Sequence, residues 1–203
     1  VALGGLVRRG SHVWAFSNAA VPVTYYTTNG GGSWSVNSDI GRPDVMRFFN
    51  AQYGIATDDR MVFQTVNGGQ NWTMISNNAL ANNVNDLTFG ISPGVLIGAT
   101  FNAKPGISLD SGRTWTSQTT ALINTRSYSV AARSDSEFLI GNDLSGVMQS
   151  YDAGLSWEEK CGPTRNIVQD VHFIDRQTGF ACGAKGMLLR TSDGGTHWED
   201  ISF

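Results

Sequence analysis

Asp44, Asp86 and Asp170 hold equivalent places in this 203-residue chain, each 23 or 24 residues before the third position of a turn phrase that recurs along it. Carboxylates gathered by such a repeat can bind a cation, contact a sugar or serve as a general acid and base. Tyr128 takes the matching place in a fourth copy, so the set is incomplete. Arg42, Arg126 and Arg165 lie in the same stretches. A guanidinium there offers bidentate recognition of carboxylate or phosphate. The competing reading is structural: each aspartate caps a turn, and the arginines pair with nearby carboxylates.

The other reactive side chains form no such pattern. His12, His172 and His197 fall at unrelated repeat positions without metal-ligand spacing. The sequence has no phosphate-binding loop, Cys/His cluster or Ser-His-Asp arrangement, so neither a metal nor a cofactor is expected. Cys161 and Cys182 both map to the strand end that carries the aspartates. A disulfide between them and two separate thiols are both compatible with the spacing, because bonding is a matter of geometry. A disulfide would favour an oxidising compartment. Asn71-Trp72-Thr73 matches a glycosylation sequon but lies inside a turn phrase.

The elements that must position these residues are announced by that phrase, Ser/Thr-x-Asp/Asn-x-Gly-x-x-Trp. It occurs at Thr27–Trp34, Thr65–Trp72, Ser108–Trp115, Ser150–Trp157 and Thr191–Trp198, with Trp-to-Trp steps of 38, 43, 42 and 41 residues. The third position (Asn29, Asn67, Asp110, Asp152, Asp193) can fold its side chain onto backbone N–H groups and close a tight turn. Glycine at the fifth position suits φ > 0, and the opening hydroxyl can bond within the turn. Trp34, Trp72, Trp115, Trp157 and Trp198 are five of the six tryptophans, and each is expected to bury its ring against a neighbouring sheet.

Between phrases run short apolar or alternating segments bounded by Gly, Asn, Asp and Pro, the pattern of strands. Each repeat parses as strands A, B and C, the phrase, then strand D; the fifth gives Gln169–Ile174, Gly179–Gly183, Met187–Thr191 and Trp198–Ile201. Four strands in about 40 residues make the blade of a β-propeller. The expected fold is all-β: one propeller domain over residues 1–203, with blades near 1–38, 39–78, 79–120, 121–161 and 162–203. Strand order then places the D-to-A and B-to-C loops together at one channel mouth, with the turn phrases at the other end. Asp58-Asp59-Arg60, Asn102-Ala103-Lys104-Pro105, Asn142-Asp143-Leu144-Ser145 and Ala184-Lys185 would form the rim of that mouth.

The turn phrase resembles the Asp-box of BNR repeats, found in sialidases, sortilin-type receptors and photosystem II assembly-factor propellers. The last repeat is most similar to the assembly factors, through Asp170-Val171-His172-Phe173-Ile174-Asp175, Thr178-Gly179-Phe180-Ala181-Cys182-Gly183 and Gly186-Met187-Leu188-Leu189-Arg190. That resemblance implies protein binding and a structural role for the boxes, away from active sites. A sialidase would need an early Arg-Ile-Pro phrase, of which Gly41-Arg42-Pro43-Asp44 is a loose echo, and a Tyr/Glu pair, which is not evident.

Composition narrows the function further. Lys and Arg total 14 against 17 Asp and Glu, a formal charge of −3, which gives no basic footprint for nucleic acid. No stretch approaches the apolar length of a membrane-spanning helix. The chain opens without an initiator Met or a signal-peptide pattern, as a mature form or a fragment would. The expectation is a non-catalytic interaction or scaffold module, extracytoplasmic (secreted, cell-surface or virion-associated), with another protein or assembly subunit as partner. The alternative is a carbohydrate-binding protein, a lectin or a glycoside hydrolase using the mouth carboxylates.

Overall fold

The computed structural model describes residues 3–17, 23–77, 84–100, 105–117, 126–144, 146–160 and 166–202. They form five four-stranded antiparallel sheets, each a meander in chain order. Blade 1 holds β1 (Leu3–Arg9), β2 (His12–Ser17), β3 (Thr24–Thr27) and β4 (Ser35–Asn37). Blade 2 holds β5 (Val45–Phe48), β6 (Gly54–Asp58), β7 (Met61–Thr65) and β8 (Thr73–Ser76). Blade 3 comprises β9 (Val84–Phe89), β10 (Leu96–Thr100), β11 (Gly106–Ser108) and β12 (Thr116–Ser117). Blade 4 comprises β13 (Ser127–Ala132), β14 (Phe138–Asn142), β15 (Val147–Ser150) and β16 (Glu158–Glu159). Blade 5 has β17 (Val168–Phe173), β18 (Gly179–Gly183), β19 (Leu188–Thr191) and β20 (Glu199–Asp200). In all five the D strand begins one residue after the box tryptophan, because the Trp still belongs to the turn.

The boxes close as their residue types dictate. In the last, the Thr191 hydroxyl donates to Asp193 Oδ1 (2.9 Å) and accepts from the Gly195 N–H (2.9 Å), while the His197 N–H donates to Asp193 Oδ1 (3.0 Å). The same three bonds recur around Asn29, Asn67 and Asp152. The fifth-position glycines have φ between +81° and +96°. The fourth position is left-handed as well, at Gly30, Gly68, Ser111, Ala153 and Gly194 (φ +58° to +75°). Its N–H reaches the A–B hairpin of its own blade, at Ser11, Gln52, Gly94, Ser136 and Gln177 O respectively (2.8–2.9 Å). That tie holds even Ala153 in a conformation that a Cβ disfavours.

The chain forms two compact units, Val1–Val84 with Gly112–Thr114, and Asn85–Ser111 with Trp115–Phe203. In both, one face of a blade docks onto the preceding blade. Met46, Ala56 and Phe63, opposite one another across β5, β6 and β7, pack on Trp14 and Phe16 of blade 1. Val130 and Ile140 of blade 4 pack on Ile97, Ala99 and Ile107. Val171, Ala181 and Leu189 of blade 5 pack on Ala131, Leu139 and Val147. The box joins the same seam. The Trp14 indole N–H donates to Gly68 O (2.8 Å), and Arg133 Nη1 and Gln149 Nε2 donate to Gly194 O (2.8 and 3.2 Å).

Burial of the box tryptophans corrects the sequence expectation. Trp72 and Trp198 are buried, Trp115 and Trp157 are half-buried, and Trp34 is 45% exposed. Exposure of Trp34 goes with that of its blade: in the row equivalent to Met46–Ala56–Phe63, which is Leu6–Ala15–Tyr25 continued by Val36, Leu6 and Val36 are 63% and 60% exposed. The indoles of Trp157 and Trp198 find their acceptors in their own boxes, at Gly154 and Gly195 O (3.2 and 3.1 Å).

Candidate functional site

Antiparallel order brings the start of strand A beside the B–C hairpin of the same blade, at the end opposite the box. In blade 2 the hairpin turns at Asp59 and Arg60, between the paired Asp58 and Met61, and Asp59 has φ +55°. Asp44 precedes β5, and its Oδ2 accepts the Asp59 N–H (2.8 Å). Desolvation raises its pKa above the usual aspartate value, the Asp59 N–H opposes that, and the Asp58 and Asp59 carboxylates add to it. Two residues earlier, the Arg42 N–H donates to Asp58 Oδ2 (3.0 Å). Blade 4 repeats this device: the Arg126 N–H donates to Asp143 Oδ1 (2.9 Å), and Asp143 N–H returns to Arg126 O (3.2 Å). The Arg126 guanidinium lies over the Tyr128 ring, 5.6 Å from its centre.

Asp86 serves a different purpose. Its Oδ1 accepts the Leu87 N–H (2.8 Å) and its Oδ2 accepts the Val130 N–H (3.0 Å), so it links β9 to β13. The neighbouring Asn85 donates to Ser127 O (2.7 Å), making a two-point polar seam between these A strands. Asp170 sits exposed in β17, opposite Cys182 and next to a register shift. Cys182 is an exposed free thiol. Arg165 and Cys161 lie outside the described residues.

Two of the three candidate aspartates are therefore engaged with backbone N–H groups, Asp44 within its blade and Asp86 across a seam. Among the described residues, no group of three or more His, Cys, Asp or Glu side chains is placed to hold a metal ion. Sequence reasoning missed the partners Asp58 and Asp143 as anchors of Arg42 and Arg126. The available signal was an arginine shortly before strand A together with an aspartate in the B–C hairpin of the same repeat. A cleft of about 160 Å³ lies elsewhere, beside the last box, lined by Arg190, Ser192, Asp193, His197, Trp198 and Glu199. There the His197 ring and backbone hold the Asp193 carboxyl down to about 2; the backbone N–H is the larger influence.

Comparison with solved structures settles the architecture. The whole described meander superposes on a chain described as "YCF48 bound to D1 peptide", with a TM-score of 0.75 at 18% identity, covering 98% of this chain and 66% of that one. This is a β-propeller fold. YCF48 from Cyanidioschyzon merolae gives a TM-score of 0.75 at 17% identity, over 96% of this chain and 68% of that one. An ancestral GH74 enzyme gives 0.76 at 18% identity, over 98% of this propeller chain but 31% of the enzyme.

Residues 154–203, the end of blade 4 and all of blade 5, match the family model for the photosynthesis system II assembly factor YCF48. The photosystem II assembly lipoprotein Ycf48 of Prochlorococcus marinus is 33% identical over 67 residues, which span 31% of this chain and 20% of the relative. The chain thus resembles the assembly-factor propellers in fold throughout and in sequence over a part, and it spans about two thirds of the solved YCF48 chains. No helix among the described residues is long and apolar enough to cross a membrane.

Proposed function

We propose that this propeller is a non-catalytic protein-interaction module that binds an extended segment of a partner at the strand A and B–C hairpin end of its blades. One observation carries the reading: Asp44 and Asp86, the candidate carboxylates at the start of strand A, accept backbone N–H groups and build the loop frame. Arg42 and Arg126 are anchored through their main chains on Asp58 and Asp143, an arrangement that fixes where each guanidinium starts. A carboxylate on the partner, from an acidic side chain or a chain terminus, is the complementary group. Likeness to an assembly factor solved with a peptide supports a protein ligand, and likeness to an assembly lipoprotein supports an extracytoplasmic location. Asp170, at the equivalent end of blade 5, and Arg165, from its place in the sequence, are proposed as further contacts.

The test is fluorescence anisotropy with a labelled peptide of the kind bound in the solved YCF48 complex, run beside a polysaccharide hydrolysis assay. Binding that weakens in Arg42→Ala and Arg126→Ala, without sugar release, is expected. Polysaccharide cleavage abolished by Asp44→Asn or Asp86→Asn would instead establish the hydrolase alternative.

A further inference from the structure

Both Asn-Gly pairs of the sequence, Asn29-Gly30 and Asn67-Gly68, fall at the third and fourth positions of a box. The other three boxes carry aspartate there, at Asp110, Asp152 and Asp193. Glycine after asparagine leaves its amide nitrogen unhindered by a Cβ, which is the requirement for attack on the asparagine side chain. The two pairs share their local bonds. Each asparagine Oδ1 accepts a threonine hydroxyl and a backbone N–H (2.8 and 2.9 Å for Asn29, 3.0 Å for both at Asn67). Each glycine N–H reaches its A–B hairpin (2.8 and 2.9 Å).

They differ in cover. Gly68 and Gly69 are buried: Trp14 donates to Gly68 O, and a Cβ on Gly69 would lie 2.5 Å from the Trp14 indole nitrogen. Residues 28–34 of the first box are all exposed; a Cβ on Gly30 would meet nothing within 4 Å, and one on Gly31 only the box's own Trp34. Beyond its own bonds the first box is tied only by the Gly30 N–H to Ser11 O, a bond the second box has as well, and its side chains lie open to solvent.

We propose that Asn29-Gly30 is a site of spontaneous deamidation that converts the first box to the carboxylate form of the third, fourth and fifth, while packing by blade 1 keeps Asn67-Gly68 intact. The Gly30 nitrogen loses its proton to solvent base and bonds to Asn29 Cγ. The Cγ–Nδ2 bond breaks, and Nδ2 leaves as ammonia after taking up a proton from water. Hydrolysis of the resulting five-membered succinimide consumes one water and gives aspartate or isoaspartate. The net change is water in and ammonia out, with no oxidant or reductant.

Box 4 shows that the aspartate product fits. There Asp152 Oδ2 accepts the Ser156 hydroxyl (2.6 Å), and Ser33 is the serine at the same box position, now accepting from Asn29 Nδ2 (3.0 Å). Rotation of one hydroxyl hydrogen restores the bond with its direction reversed. The isoaspartate product adds a backbone carbon and cannot keep the box register.

The test is to hold the folded chain at neutral and at mildly alkaline pH for days and map the peptides by mass spectrometry. A parallel sample in denaturant serves as reference. Conversion at residue 29 should exceed that at residue 67 by about fivefold, the ratio set by one net hydrogen bond that must open in the second box alone. The ratio should fall towards one in denaturant, and the rate at residue 29 should rise with pH. Equal rates in the folded chain, or an Asn29 that stays intact while the denatured sample converts, would overturn the proposal. Asn29→Asp should fold with an unchanged melting temperature; a clear loss would overturn the claim that the carboxylate form fits the box.

Discussion

Substituting alanine at two equivalent glycines separates backbone strain from inter-blade packing. Gly31 and Gly69 both hold the fifth box position in the first compact unit, with φ +96° and +81°. An L-residue in the left-handed region costs roughly 1–2 kcal/mol, and this applies to both. Gly31→Ala adds little more, because its new methyl would come no closer than 3.8 Å to Trp34. Gly69→Ala would place the methyl 2.5 Å from Trp14 Nε1 and 2.9 Å from its Cδ1. Trp14 cannot retreat: it is fully buried, stacked on Phe48 with centroids 3.5 Å apart, and hydrogen-bonded to Gly68 O. Overpacking of this kind adds about 1–3 kcal/mol. We therefore expect a loss of about 1–2 kcal/mol for Gly31→Ala and about 2–5 kcal/mol for Gly69→Ala. Urea titration reads both as midpoint shifts at unchanged slope, and near-ultraviolet circular dichroism should show Trp14 disturbed in the second variant only. Equal losses in the two variants would refute the claim that the box glycine is a packing element of the seam.

Arg133 is the second seam to test. Its Nη1 and Nε donate to Gly194 O (2.8 Å) and Arg176 O (3.0 Å), and it lies over Phe173. Arg133→Ala should cost about 2–3 kcal/mol in chemical denaturation, the scale of hydrogen bonds from a charged donor; Arg133→Lys should not restore it, since an ammonium lacks the planar fork. A loss too small to measure would remove Arg133 from the seam. The pH profile of melting should carry two opposite carboxylate signals. Asp193, held down to about 2, stabilises the fold above its ordinary value of 3.8, and that contribution is lost as pH falls from about 4 towards 2. Asp193→Asn should flatten this acid limb. Asp44 is shifted upward, so its charge opposes folding at neutral pH and the opposition is relieved on acidification. Asp44→Asn keeps an acceptor for the Asp59 N–H and should hold or raise the melting temperature at neutral pH; a marked drop would contradict the assigned shift.

The repeat made most of the fold legible, because a box needs the same residue types wherever it closes and strands B and C must run into it. Gly179–Gly183 is read to the residue, and the D strand of the same repeat begins one residue later than expected because Trp198 still belongs to the turn. The fourth box position was not legible. Gly, Ser and Ala share a left-handed φ there through a bond to a hairpin that a local pattern does not contain. Trp34 and Trp198 are identical in motif, and their different burial depends on what covers the box. The site was legible by position but not by employment. Asp44 and Asp86 occupy the same repeat place, yet one caps its own hairpin and the other accepts Val130 N–H from the next blade, a partner 44 residues away.

The bond from the fourth box position to the A–B hairpin bears on how the chain acquires its structure. It joins the end of strand C to the turn between A and B, so each repeat closes a loop within its own sequence. Such short-range closure is entropically inexpensive and favours fast formation. A blade emerging during synthesis can thus latch as soon as its box has been made. The inter-blade seams, whose donors and acceptors sit in successive repeats, then set the order in which latched blades lock together. On this view the fourth box position serves both stages: its N–H latches a blade, and at Gly68 and Gly194 its carbonyl then takes the donor from the preceding repeat.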